Sequence, residues 1–176
     1  NENINKIYIT ASGGPFYFKK TINLKKVSFK SVINHPKWEM GINNSIDSSN
    51  FVNKYLEMFE LSTIYNIDLK KIDFFISREA YVHSVIFYKD GNISFNCFDN
   101  DMLLPLIRPL QYFYDLGNIN ISKKYLDIKN FSINYFNDSR FKINKFKNKI
   151  RCFNHEQIIK FLILNNITHK DYIKGK

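Results

Sequence analysis

A β-hairpin is the feature of this sequence that most restricts its fold. Val82–Tyr88 and Ile93–Cys97 are rich in β-branched and aromatic residues, and the stretch Lys-Asp-Gly-Asn at 89–92 stands between them. An Asp-Gly pair between two such runs is a strong hairpin signal, because these residue types adopt the positive φ angles that a tight turn requires. The chain is therefore expected to contain a β-sheet with these two strands side by side.

Further strands and several helices are predicted around this hairpin. The β-prone runs are residues 6–10, which lead into the glycine turn Ala11-Ser-Gly-Gly-Pro-Phe16, and residues 71–76. Helical patterns cover residues 28–34, 48–66, 100–114, 139–150 and 154–164, with a short one from 170. This order predicts an α+β fold, in which a mixed β-sheet packs on helices and a small C-terminal helical appendix follows. The predicted units are residues 1–116, a connector at 117–137 and the appendix at 138–176.

Residues 47–57, written DSSNFVNKYLE, combine helix-start signals with polar chemistry. The aspartate and serines that open the stretch are good N-cap residues, so a helix is expected to begin near Ser48. Asn53 and Glu57 then lie four residues apart on one face, with Lys54 beside them. A helix start with a hydroxyl and a lysine suits a phosphate, whereas Glu57 repels one unless a cation lies between them. The stretch favours a phosphorylated ligand beside a divalent metal; the alternative is an ordinary solvated face.

The net charge of +10 favours an anionic partner, but it does not indicate nucleic acid in particular. Lysine, asparagine and isoleucine are abundant throughout, as AT-rich coding would produce. The densest basic stretch, residues 140–151, interleaves cations with apolar residues and reads as an amphipathic helix with a solvated basic face. Its alternative is a nucleic-acid surface that would use Lys142, Lys145 and Lys147.

The cysteines and the hydropathy of the chain exclude other classes. Cys97 and Cys152 match no metal or redox spacing, which favours free thiols in a reducing compartment. A membrane-spanning helix needs a run of about eighteen apolar residues, and the sequence contains none, so no membrane partner is expected.

Three motifs in a fixed order resemble the central catalytic domain of the 1-deoxy-D-xylulose 5-phosphate reductoisomerases. They are Ala11-Ser12-Gly-Gly-Pro-Phe16, His35-Pro-Lys-Trp38-Glu-Met40-Gly41 and Asp47-Ser48-Ser-Asn-Phe-Val-Asn53-Lys54-Tyr-Leu-Glu57. The match continues through Val82-His83-Ser84, Tyr88-Lys-Asp-Gly91 and Asp101-Met102-Leu-Leu-Pro105, and residues 153–161 resemble a helix of the family's C-terminal bundle. The resemblance covers nearly the whole chain and is strongest over residues 9–57.

The resemblance implies an enzyme of non-mevalonate isoprenoid synthesis. The family converts 1-deoxy-D-xylulose 5-phosphate to 2-C-methyl-D-erythritol 4-phosphate with NADPH and a divalent metal, Mn²⁺, Mg²⁺ or Co²⁺. Residues 1–116 would bind substrate and metal and would form a homodimer. The family's N-terminal NADPH-binding domain and its acidic Asp-Ser-Glu motif have no counterpart in this sequence. We therefore expect a fragment that is inactive alone, from the cytoplasm of a bacterium or, alternatively, from a plastid or apicoplast stroma.

The resemblance also implies roles for individual residues. Glu57, Lys54 and His35 would be catalytic, and Glu57 would be a metal ligand. Substrate would be bound by Ser12, His35, Trp38, Ser48, Asn53, Lys54 and Glu57, with the phosphate on Ser12, Ser48, Asn53 and Lys54. Trp38 and Met40 would lie on a mobile loop that closes over the substrate. Gly41, Met40 and Met102 would contact the cofactor, and His83 matches a family histidine beside the site.

Some residues depart from the family pattern. Ala80 stands where the family has a serine near the phosphate pocket, Tyr55 replaces a glycine, and Leu103-Leu104 replace Arg-Thr. These departures leave open a degenerate, non-catalytic homologue that acts through dimerisation.

Overall fold

A five-stranded mixed sheet forms the centre of the protein. The computed structural model describes residues 2–20, 26–35, 39–98, 103–114, 132–136 and 140–141. The strands are β1 (Ile4–Ala11), β2 (Ile72–Ile76), β3 (Val82–Tyr88), β4 (Ile93–Cys97) and β5 (Asn134–Tyr135). Their order across the sheet is β4-β3-β1-β2-β5. β1 pairs in parallel with β2, with Ile7 opposite Ile72, and the other neighbouring strands are antiparallel.

Four helices accompany the sheet in the described residues, and the α+β prediction is confirmed. They are α1 (Phe29–Ile33), α2 (Ile42–Ser49), α3 (Val52–Tyr65) and α4 (Leu103–Tyr114). Ser28 caps α1, since its hydroxyl accepts a hydrogen bond from the Ser31 N–H at 3.2 Å. A short 3₁₀ turn, Leu69–Lys71, leads into β2.

The predicted hairpin is confirmed with its expected bounds. β3 and β4 pair side by side, and the Tyr88 N–H donates to the carbonyl of Asn92 across the turn at 2.9 Å. Gly91 adopts φ = 88°, a region that favours glycine. The Asp90 carboxylate accepts a hydrogen bond from the Asn92 N–H, which stabilises the turn from within.

The prediction that a helix begins near Ser48 is wrong. Ser48 lies at the end of α2, and α3 begins at Val52 after a break at Asn50 and Phe51. The break has a local cause, because the side-chain oxygen of Asn50 accepts a hydrogen bond from the Val52 N–H at 3.0 Å. Phe51 is thus the N-cap residue of α3, and the side chain of Asn50 just before it, rather than that of the aspartate or serines, accepts a hydrogen bond from the first turn.

Two apolar clusters hold the sheet. The larger one packs α3 on one face of β1 and β2 and includes Ile9, Tyr55, Phe59, Phe74 and Phe136. The smaller cluster is formed by four other side chains of the strands, those of Tyr8, Phe75, Val82 and Val85. The rings of Tyr8 and Phe75 stack with centroids 4.0 Å apart. The larger cluster therefore fixes α3 against the strands that carry the site.

The predicted helices at 154–164 and from 170 lie outside the described residues, as does the predicted helix at 139–150 apart from residues 140–141, which form a turn and a bend. Within the described residues, Cys97 is a free thiol, as expected. None of the helices described is long and apolar enough to cross a membrane.

Candidate active site

A cavity of about 420 Å³ opens where β1 ends. Its walls come from the turn after β1, the segment before α2, the break between α2 and α3, the first turns of α3, and β3. Most of the predicted site residues line it: Ser12, His35, Met40, Ser48, Asn53, Lys54 and Glu57. Gly41 is the N-cap of α2, next to Met40. Trp38 and Met102 lie outside the described residues.

The glycine turn brings Ser12 close to Ser48. Gly13 and Gly14 have φ angles of 98° and 62°, which side chains disfavour. A Cβ atom on Gly14 would lie only 2.9 Å from the backbone carbonyl oxygen of Ser48. Glycine at this position therefore lets the turn pack directly on the end of α2, and the two serines of the predicted phosphate site face one cavity.

His35 is joined to the turn by a polar contact. Its Nε2 atom lies 3.3 Å from the hydroxyl oxygen of Ser12. Burial and, secondarily, the positive charge of Lys54 lower the pKa of His35 below its ordinary value of 6.5. The imidazole is therefore neutral at pH 7, and it can orient the Ser12 hydroxyl without adding charge.

The polar face of α3 forms a hydrogen-bonded trio. The Asn53 side-chain amide donates to one oxygen of Glu57 at 2.6 Å, as the four-residue spacing predicted. The Lys54 ammonium forms an ion pair with the other oxygen of Glu57, also at 2.6 Å. Glu57 is therefore neutralised by Lys54 and held by two donors, and the trio is fixed as one unit on the cavity wall.

The described residues alone do not fit a divalent metal. They contain no group of three or more histidine, cysteine, aspartate or glutamate side chains that could hold one. Glu57 supplies a single carboxylate, and both of its oxygens already accept hydrogen bonds. Mg²⁺ and similar ions require several oxygen ligands around them. Within the described residues, Glu57 could therefore provide one ligand to such an ion but could not hold it alone.

His83, which the family resemblance set beside the site without a stated role, also lines the cavity. Its buried Nε2 atom has no hydrogen-bond partner among the described residues. Burial and then the charge of Lys54 lower the pKa of His83, while a hydrogen bond with the backbone of Phe98 opposes them. The sequence signal was the match of Val82-His83-Ser84 to the family, although a histidine in a strand is also typical of a half-buried structural histidine.

The departures from the family pattern have different surroundings. Ala80 lines the cavity and has φ = 60°, an uncommon conformation for a residue with a Cβ atom. Tyr55 is 1% exposed and packs its ring edge-on against Phe74, with centroids 5.6 Å apart. Tyr55 therefore fills the core and does not narrow the cavity, whereas Ala80 changes the cavity wall itself. Leu103 is exposed at the start of α4.

Comparison with known proteins finds one family. The family model for the 1-deoxy-D-xylulose 5-phosphate reductoisomerase C-terminal domain matches residues 1–65. The reductoisomerase of Clostridium acetobutylicum is 41% identical over 111 residues, which are 63% of this chain and 29% of that protein. The reductoisomerase of Pelagibacter ubique is 30% identical over 169 residues, which are 93% of this chain and 42% of that protein.

Solved structures give the same result for the fold. A DOX-P reductoisomerase in complex with NADPH, fosmidomycin and magnesium superposes with a TM-score of 0.72 at 30% identity, over 82% of this chain and 35% of that one. The Zymomonas mobilis enzyme in complex with NADPH superposes with a TM-score of 0.68 at 26% identity, over 82% and 37%. This chain thus spans well under half the length of the proteins that it matches.

Proposed function

The chain belongs to the 1-deoxy-D-xylulose 5-phosphate reductoisomerase family, and we propose that it supplies the substrate-phosphate side of such an active site. The complete protein would convert 1-deoxy-D-xylulose 5-phosphate to 2-C-methyl-D-erythritol 4-phosphate with NADPH and Mn²⁺, Mg²⁺ or Co²⁺. One observation carries the proposal: a single cavity collects Ser12, Ser48, Asn53 and Lys54 from three separate segments. Two hydroxyls, an amide and an ammonium are donors suited to a phosphate.

The charges on α3 support this assignment. The Lys54 ammonium lies against the Glu57 carboxylate, so its positive charge would offset the repulsion between that carboxylate and a phosphate in the cavity. Asn53 and Lys54 are in the first turn of α3, where the helix dipole favours negative charge. Phosphate contacts far from the reacting carbons would position the substrate and contribute to catalysis through that positioning.

The two histidines of the cavity are suited to hydroxyl groups of the substrate. Both have lowered pKa values, so both are neutral at pH 7 and can accept as well as donate hydrogen bonds. His35 would bind the substrate together with Ser12. Trp38 and Met40 would belong to the closing loop, and Gly41, Met40 and Met102 would approach the nicotinamide, as the family resemblance implies.

The complete protein is proposed to bind a divalent metal and NADPH. A family member has been crystallised with NADPH, fosmidomycin and magnesium. Glu57 would provide one ligand, and the remaining ligands and the nucleotide site would come from beyond the described residues. The 176-residue chain alone is therefore proposed to be inactive.

NADPH absorbance with 1-deoxy-D-xylulose 5-phosphate and Mn²⁺ tests this proposal. The complete reading frame is expected to oxidise NADPH, and the 176-residue chain is not. Glu57→Gln in the complete protein should lower kcat at least about 100-fold, because an amide is a poor ligand for a hard cation. Glu60→Gln, an exposed change on the same helix, is the matched control and should leave kcat unchanged. Turnover by the 176-residue chain, or full activity of Glu57→Gln, would contradict the proposal.

A degenerate homologue is the second candidate, and Ala80 is the observation that favours it. This residue lines the cavity without the hydroxyl that the family motif carries there. A folded complete protein that does not oxidise NADPH would support this candidate, and Ala80→Ser would then be the first reversion to assay.

Homodimerisation and a bacterial cytoplasmic location are also part of the proposal, with a plastid as the alternative compartment. β4 lies at the edge of the sheet and exposes Ile93 and Phe95, which suits self-association. Sedimentation equilibrium of the chain should give the mass of a dimer, and a monomer over the whole concentration range would contradict this part.

A further inference from the structure

Phe51 has a backbone conformation that few residues with side chains adopt. Its φ and ψ angles are 66° and 7°, in the left-handed region, and its side chain is 1% exposed. Such a conformation is strained for a bulky residue and persists only where the surrounding structure enforces it. Phe51 is also the N-cap of α3, two residues before Asn53 and three before Lys54. Whatever enforces its conformation therefore sets the start of the proposed phosphate site.

Two aromatic rings from a distant part of the chain pack on Phe51. The ring centroid of Phe136 lies 4.4 Å away, and that of Phe141 lies 4.8 Å away in an edge-on arrangement. Phe136 and Phe141 are almost fully buried. The strand before them is fixed by the pairing of β5 with β2. The left-handed residue is thus held from a segment that the sheet itself anchors.

Arg140 connects the same segment to the chain directly after the glycine turn. Its Nη2 atom donates to the backbone carbonyl of Tyr17 at 2.7 Å, and its Nη1 atom donates to that of Lys19. The guanidinium also lies over the ring of Phe141. Tyr17 and Lys19 follow the turn that carries Ser12 and packs on Ser48, so one segment contacts Phe51 at the start of α3 and the chain next to that turn.

We propose that Phe136, Arg140 and Phe141 form a clamp that positions the phosphate-binding residues of the cavity. Phe136 and Phe141 enforce the left-handed conformation of Phe51 and so place Asn53 and Lys54, while Arg140 places the turn of Ser12. None of the three is among the described residues that line the cavity, so they act through their neighbours. The inference rests on the proposed function.

Titration of inorganic phosphate into the ¹⁵N-labelled 176-residue chain tests the clamp, with the amide shifts of Gly14, Ser48 and Lys54 as the readout. Phe136→Leu keeps a large apolar side chain but loses the ring contacts, and should raise the phosphate Kd about tenfold in a folded protein. Arg140→Ala, an exposed change, should raise it about threefold. Lys70→Ala removes the same charge at an exposed site on the 3₁₀ turn and should not change it.

A second pair of variants separates positioning from general stability. Glycine adopts the left-handed conformation without strain, so Phe51→Gly removes the need for the clamp at that residue. In the Phe51→Gly background, Phe136→Leu should change the phosphate Kd less than about twofold, although Tm falls further. A merely structural Phe136 would lower Tm in both backgrounds and leave the Kd of the folded protein unchanged in both, which would overturn the clamp.

Arg140→Ala is also measured at two ionic strengths. A long-range effect of the lost charge shrinks as salt rises, whereas a positioning effect keeps the same ratio of Kd values. A ratio that falls to one at high salt would overturn the role of Arg140.

The proposed function and the clamp fail in different ways. If phosphate does not shift the cavity amides of the wild-type chain, or if Lys54→Ala binds phosphate as well as wild type, the proposed site fails and the clamp with it. If the wild-type chain binds and Lys54→Ala does not, but Phe136→Leu binds as tightly as wild type, only the clamp is overturned.

Discussion

β2 and β4 are both five-residue strands of the same sheet, yet their environments are opposite. Every residue of β2, Ile-Asp-Phe-Phe-Ile, is buried, whereas the first four of β4, Ile-Ser-Phe-Asn-Cys, are exposed. Both strands contain isoleucine and phenylalanine. β2 lies between β1 and β5 beneath α3, and β4 lies at the edge of the sheet. The difference shows that position in the sheet, more than composition, decides how much of a strand is buried.

The candidate site lies at the buried part of the sheet. The cavity opens where β1 ends, and β3 is the other described strand that lines it. The turn of the β3–β4 hairpin, residues 89–92, is exposed and does not line the cavity. Three comparisons between these two parts of the molecule measure how far the site depends on the buried part.

Removal of an aromatic ring should give the largest difference in stability between the buried strand and the edge strand. Phe74 in β2 is fully buried and stacks on Phe136 with centroids 4.8 Å apart, whereas Phe95 in β4 is 50% exposed. Phe74→Ala should lower the free energy of unfolding by about 4 kcal/mol, because it leaves a cavity in the core. Phe95→Ala should lower it by less than about 1 kcal/mol. Urea unfolding monitored by circular dichroism measures both, and equal losses would refute the distinction between the strands.

Substitution of two glycines by alanine should give the next largest difference in stability. Gly14 and Gly91 both have positive φ angles, but a Cβ atom would meet the Ser48 carbonyl at Gly14 and open space at Gly91. Gly91→Ala should cost about 1 kcal/mol of stability from backbone strain alone. Gly14→Ala should cost about 2 kcal/mol and should also weaken phosphate binding, because Ser12 and Ser48 are pushed apart. If phosphate affinity falls equally in both variants, the close packing at Gly14 is not what forms the site.

The smallest effect should be a pH dependence that comes from the site. Both histidines of the described residues line the cavity, and both have a pKa below 6.5 in the folded protein. As the pH falls, the two histidines are therefore protonated in the unfolded chain before they are protonated in the folded protein. The free energy of unfolding decreases as the pH drops through 6.5 and stops decreasing below the folded-state pKa values. Both imidazoles are only partly buried, so solvent limits the loss.

Urea midpoints between about pH 8 and pH 5 measure this loss. The double variant His35→Gln/His83→Gln should flatten the profile, and Phe95→Ala should leave its shape unchanged. An unchanged profile in the double variant would mean that other groups titrate.

The sequence predicted the strands well because their signals are local. The β-branched and aromatic residues of β3 and β4 and the Asp-Gly turn need no distant partner to be recognised. The Asn53–Glu57 contact was likewise predictable, because helical spacing brings the two residues onto one face. The family motifs then pointed to most of the side chains that line the cavity, before any geometry was known.

The break before α3 could not be predicted, because its causes are not local. Phe51 is not a residue type that favours the left-handed region, and the rings that enforce it come from Phe136 and Phe141. The polar run of α2, Ile-Asn-Asn-Ser-Ile-Asp-Ser-Ser, also lacks strong helix formers, so tertiary packing overrides its weak propensity. The ion pair that occupies Glu57 depends on side-chain rotamers, which spacing alone does not determine.

The parallel pairing of β1 with β2 has a consequence for how the chain folds. Of the five described strands, β1 comes first in the sequence, and its partners β2 and β3 follow only after α1, α2 and α3. Closing so long a loop is slow compared with forming a hairpin. We therefore expect β3 and β4 to pair with each other before β1 pairs with β2 and β3. Since the end of β1 leads directly into the turn of Ser12, the pairing of β1 with these strands is also a step that forms the binding site.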